Sequence, residues 1–133
     1  MEIHYLPIAV VGLHLTGESL NYQLTELDAI YVKTCKTAKK YNFYLVKEGE
    51  KQKPALIRVN NPEKGNAYEV EIWNLPIKNV GEFLEQIPSP LGLGTLVLED
   101  ESLVKGFIGE AHVIEIGEDI SSFNGWRDYR SPK

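Results

Sequence analysis

The densest run of chemically capable residues is VVGLHLTGESLN, positions 10–21. An apolar strand delivers Gly12 and then His14 into a turn rich in hydrogen-bond donors. Gly12 allows a ligand to approach the backbone closely. Backbone N–H groups of the loop could hold a ligand's carboxylates. The same residues also suit a plain strand-to-loop turn with His14 exposed, and composition leaves both readings open. A second run, PSPLGLG at 88–94, is apolar although it reads as a loop. Prolines fix its shape and glycines bare its backbone, so it can wall a pocket and exclude water, or else tuck against the core. In a third, VKGFIGEAH at 104–112, strand alternation puts Lys105, Phe107, Gly109 and Ala111 on one face and Glu110 on the other. Glu110 would serve as an acid or base if desolvated, or as a structural carboxylate if paired.

Other chemistries find no footing. No phosphate loop, dinucleotide fingerprint, zincin motif or nucleophile elbow is present. The three histidines are scattered and Cys35 is the single cysteine. No internal disulfide can form, and neither a metal site nor a cofactor is expected. Net charge is −5 over 133 residues, the wrong sign for nucleic acid. The basic cluster Lys33–Lys40 reads as a solvated strand end. The run Leu6–Leu15 is broken by Pro7, Gly12 and His14, too short for a membrane span and unlike a signal peptide. A cytoplasmic protein is expected, with one domain over residues 1–133.

The elements that must position these groups follow from periodicity. Ile8–Val11 reads as a buried strand and Tyr22–Leu27 as a short helix. Asp28–Thr37, Asn42–Lys47 and Ala55–Asn60 are β-rich, with Glu48–Lys53 as a charged connection. Asn60–Gly65 is a turn. In Tyr68–Trp73 alternation sets Glu69, Glu71 and Trp73 against Tyr68, Val70 and Ile72. The period then changes, and Val80, Phe83, Leu84 and Ile87 mark a helix over Ile77–Gln86 that Pro88 ends. Gly94–Leu98 and Leu103–Ile116 read as strands, and Asp119–Tyr129 as a tail whose Phe123 and Trp126 pack back. Strands without regular crossover helices argue against a doubly wound sheet. The expectation is an α+β domain with a mixed, bent, barrel-like sheet and few helices.

Taken in order, VGLHLTGESLNYQL, NFYLV, KPALIRV, YEVEIWNLP, IPSPLGLGTLVLEDESLVKGF and DISSFNGWRDY resemble the C-terminal domain of allophanate hydrolases, from about Ile8 to Tyr129. The Pro-Gly run followed by Val-Lys-Gly-Phe and the terminal Gly-Trp-Arg are the specific parts. The resemblance implies a γ-glutamylcyclotransferase-like fold. It also implies a freestanding form of the domain, since nothing here supplies the amidase triad that precedes it in those enzymes. Val11–Leu15, including Leu13, looks like the substrate-cradling loop of the cyclotransferases. Their acid/base glutamate would fall near Ile87 or Pro88, with Glu85 and Gln86 just short of it. The implied chemistry is decarboxylation of N-carboxycarbamate, a small dicarboxylate. His14 would then be the proton donor, Arg58 or Lys105 the carboxylate grip, Gly12, Leu13 and Asn21 its complement, and Pro90, Leu91, Gly92 and Gly94 the dry wall. Three functions stay open: an enzyme working alongside a separate amidase subunit, a non-catalytic binding or assembly module for one, and a cyclotransferase-like enzyme on another amide ligand. A homodimer is open as well.

Overall fold

Ile8, Ala9 and Val10 are wholly buried, as an unbroken apolar run must be when both faces of its strand are covered. In the computed structural model, which describes residues 2–61 and 63–131, they belong to β1 (Tyr5–Val10). The chain continues through α1 (Tyr22–Thr25), β2 (Ile30–Lys36), β3 (Tyr41–Glu48), β4 (Lys51–Arg58) and β5 (Glu69–Pro76). A 3-10 turn at Ile77–Asn79 leads into α2 (Val80–Glu85), followed by β6 (Leu91–Val97), β7 (Leu103–Gly109), α3 (Val113–Ile116), β8 (Glu118–Asp119) and α4 (Trp126–Arg130). Pro62, in the turn expected over Asn60–Gly65, lies outside the described residues.

Five strands form one sheet in the order β2-β5-β1-β7-β6, and β4-β3-β8 form another. β1 runs antiparallel to β5 and parallel to β7, so the larger sheet is mixed. The expected α+β fold is present. One core serves both sheets, with Ile8, Val10, Phe43, Leu56, Leu75, Phe83 and Leu96 all in it. The sheets close on each other where side chains are absent. A Cβ on Gly12, just after β1, would collide with the Pro54 ring of β4. A Cβ on Gly109, at the end of β7, would stand 2.9 Å from the Ala55 Cβ. These two approaches draw β4 against the ends of β1 and β7 and give the barrel-like bend.

Three expectations need correction. The apolar run 88–94 is a loop only to Pro90. From Leu91 it is strand, paired Leu91↔Gly109 through Gly94↔Gly106, and its leucines are apolar because they meet the core. The strand expected over Leu103–Ile116 ends at Gly109, and a turn and α3 follow. In α2, Phe83 is fully buried and Val80 packs on the core, but Leu84 is exposed. The tail behaves as expected, with Trp126 buried and Phe123 packed beside it.

Candidate functional site

After Gly12 the chain makes successive turns, Leu15 N–H to Gly12 O and Glu18 N–H to Leu15 O, then folds back with Leu20 N–H to Leu13 O at 2.8 Å. Asn21 seals the turn by donating Nδ2–H to His14 O at 2.8 Å. This places His14 inward. Its ring stacks on Phe107 of β7 (centroids 4.7 Å apart, planes at 23°) and meets the edge of Phe83 of α2 at 5.4 Å. Its Nε2 lies 2.6 Å from Gln23 Oε1. At 7% exposure, burial lowers the imidazole from 6.5 to about 4 against the raising effect of the Gln23 bond, and the Lys53 charge lowers it further. His14 is therefore neutral near pH 7.

His14 faces a cavity of about 20 Å3, room for about one water. Val11, Gly12, Leu13, Leu20, Pro54, Ile87, Pro88, Leu91 and Phe107 supply most of its wall, and Lys53 and Gln86 are its other polar residues. Four of these, Leu20, Lys53, Gln86 and Pro88, also border an outer groove of about 550 Å3 with Tyr22, Gln23, Glu50 and Lys51. A small chamber thus sits behind a wide mouth, with the shared residues at the junction.

The structure brings Gly12, Leu13, His14 and Leu91 together with Pro88 in this wall. It does not bring Arg58. That residue lies at the far end of β4, opposite Tyr41, in a groove with Lys36, Lys39 and Lys40. Lys105 is exposed, donating to Thr95 Oγ1 at 3.1 Å on another surface. Asn21, Pro90, Gly92 and Gly94 do not line the chamber. Pro90 is buried and its carbonyl accepts from Glu110 N–H at 2.7 Å. Gly94 leaves space for the Ile108 side chain, and Gly92 only continues β6 opposite Ile108, where an added Cβ would meet nothing. Glu110 is exposed and accepts from the Ser89 hydroxyl, so it is no desolvated acid.

Two groups escaped sequence reasoning. Lys53 falls in the sequence within the charged connection Glu48–Lys53, yet it is buried and lines the chamber. The β3–β4 turn closes at Glu48↔Lys51, which puts Lys53 inside the strand. The other is Glu71, 3% exposed, which takes hydrogen bonds from Thr16 N–H and Oγ1–H, Trp73 Nε1–H and Arg127 Nη2–H. Burial pushes this carboxyl up, but these bonds outweigh it and hold it below its ordinary value. Glu71 is thus an ionised structural carboxylate. A hint was available, since a glutamate beside tryptophan on an alternating strand needs a donor if its face is covered.

Among the described residues no His/Cys/Asp/Glu cluster could hold a metal, and no helix is long and apolar enough to cross a membrane. The allophanate hydrolase C-terminal domain family matches residues 6–131. The chain is 39% identical over 125 residues to a urea amidolyase of Lachancea kluyveri, covering 92% of this chain and 7% of that protein. An allophanate hydrolase from Kluyveromyces lactis superposes with a TM-score of 0.90 at 36% identity, over 95% of this chain and 21% of that one. A uropathogenic E. coli-specific protein superposes at 0.87 with 29% identity, over 96% of both chains. A γ-glutamyl cyclotransferase shares the fold at 0.60 and 11% identity, over 87% of this chain and 70% of that one.

Proposed function

The chain belongs to the allophanate hydrolase C-terminal domain family, and from that premise we propose that the His14 chamber and its mouth bind a small dicarboxylate of the N-carboxycarbamate type and promote its decarboxylation. The observation that carries this reading is the lining. One buried ammonium, Lys53, stands with His14 in an otherwise largely apolar wall, and no carboxylate lines the chamber among the described residues. Such a chamber favours an anion, because an ammonium beside an apolar wall is a charged donor that a carboxylate can engage.

The chemistry asked of it is modest. One C–N bond of the substrate breaks, its electron pair stays on nitrogen and takes up a proton, and carbon dioxide leaves. Lys53 holds one carboxylate as a charged donor. The apolar wall of Pro54, Leu91 and Phe107 faces the carboxylate that loses its charge as it departs. Burial keeps His14 neutral, but a dianion placed beside it favours the imidazolium. The substrate thereby creates the acid that protonates its nitrogen. The chamber has room for about one water, so the ligand sits at the junction with the outer groove and displaces Leu20, Gln86 and Pro88 slightly. The dicarboxylate itself would come from an amidase, the other activity of the larger family proteins that resemble this chain. The cyclotransferase reading has lost its acid/base, since Glu85 is exposed and the residue that reaches the chamber is Gln86, an amide.

Malonate, a stable dicarboxylate, tests this by NMR titration of the His14 ring. Binding should move the His14 signals and raise its pKa. Lys53→Met should abolish both effects, whereas Arg58→Ala and Lys105→Ala should leave them in place. Shifts clustered at Arg58 with His14 silent would overturn the assignment. His14→Ala separates the enzyme from the binding module, because malonate should still bind while carbon dioxide release is lost.

A further inference from the structure

We propose that α4 is a latch on the turn that carries His14, with Arg127 as its positioning residue acting through Glu71 and Thr16. This rests on the reading of the His14 chamber as the ligand site.

The Arg127 guanidinium spans three partners. Nη2 donates to Thr16 O at 2.6 Å and to Glu71 Oε2 at 3.1 Å, and Nη1 donates to Glu69 Oε1 at 3.1 Å. The other oxygen of Glu71 receives Thr16 N–H at 2.8 Å and Thr16 Oγ1–H at 2.9 Å. Thr16 is thereby fixed at its amide, its hydroxyl and its carbonyl, two residues beyond His14. A second bond ties the same turn to α4, from Trp126 Nε1–H to Glu18 Oε1 at 2.9 Å.

Stability alone is a weak reason for this arrangement. The Arg127 side chain is 41% exposed, so its ion pairs contribute little, and what they supply is a fixed geometry. The geometry fixed here is that of a ten-residue turn, 12–21, without strand or long helix of its own. That turn sets the imidazole against Phe107 and Phe83, so the set of its backbone decides how deeply His14 is buried. Only a planar fork can hold Thr16 O and both glutamates at once, which is why arginine and not lysine suits position 127.

The test uses the full chain and reads His14 directly by NMR, without ligand or turnover. In Arg127→Met the His14 pKa should rise by about one unit or more toward 6.5 as the ring is wetted, and the Nε2–H shared with Gln23 should exchange faster with solvent. Arg127→Lys should restore part of the shift. Lys105→Ala, exposed on another surface, should change nothing at His14. If Arg127→Met does not fold, Thr16→Ala decides, since Thr16 is exposed and the change removes the Oγ1 bond alone. It should shift His14 in the same direction by less. A folded Arg127→Met or Thr16→Ala protein with an unmoved His14 titration overturns the latch. A latch that passes while malonate ignores His14 overturns the function proposed above and leaves this inference standing.

Discussion

Acidification from pH 7 to pH 5 should destabilise this protein through one side chain, His14. Folding lowers the imidazole from 6.5 to about 4, with burial the main cause. Between those values the unfolded chain binds a proton that the folded chain does not, so stability rises with pH across this window and falls on acidification. The full difference is about 2.5 units, on the order of 3 kcal/mol at about 1.4 kcal/mol per unit. Roughly 2 kcal/mol of it is lost between pH 7 and pH 5, before ordinary carboxylates take up much of their protons. That is a large share of the 5–15 kcal/mol typical of a domain. His4 and His112 are exposed, so neither provides a buried ring to compete with this effect. The assay is urea denaturation at half-unit steps of pH, comparing the native chain with His14→Gln, which keeps a polar partner for Gln23 but does not titrate. The native chain should lose about 2 kcal/mol more than the variant over this range. Parallel stability curves for the two proteins would refute the claim that His14 is buried and neutral.

Three further outcomes are expected. Phe83→Ala removes a fully buried ring that touches both His14 and Phe107, and should cost about 3–5 kcal/mol in denaturant titration; a loss below about 1 kcal/mol would show that α2 does not pack as described. Gly12→Ala drives a Cβ into the Pro54 ring and should cost about 1–3 kcal/mol, with a fall in malonate affinity by NMR as β4 is pushed from the chamber. Gly81→Ala, exposed in α2 with open space at its Cβ, should stabilise by about 0.5–1 kcal/mol, seen as a raised thermal midpoint.

Most of the fold was legible in local pattern. The period change after Trp73 marked α2, the apolar run 8–11 marked the central strand, and Pro88 ended the helix where expected. Patterns failed where long-range packing overrode them. Tyr68–Trp73 alternates as a half-solvated strand should, yet Val70, Glu71, Ile72 and Trp73 are all buried, because the 12–21 turn and α4 cover the face that carries Glu71. The run 88–94 looked like a loop since its glycines are loop formers in isolation. In the sheet Gly94 leaves room for Ile108, which is a reason for glycine that only the pairing of β6 with β7 reveals.

The site divides along the same line. Local signals picked out Gly12, His14, Pro88 and Leu91, which the structure brings around one chamber, because a strand end, a turn histidine and a rigid apolar run each announce themselves in a few residues. The choice of cation was not local. Arg58 stood out as a lone charge in an apolar strand, while Lys53 was lost among Glu50, Lys51 and Gln52. Both are on β4, five residues apart, and at about 3.4 Å per residue that is roughly 17 Å, more than any side chain bridges. Which of them serves the chamber is decided by where β4 meets β1. The missing Cβ of Gly12 admits the Pro54 ring, and the residue next to Pro54 along the strand is Lys53. A glycine at the end of one strand thus selects the charge on another, and deleting the ammonium at 53 while placing one at 58, as Lys53→Met with Arg58→Lys, should abolish malonate binding at His14 by NMR even though the chain keeps a lysine on β4.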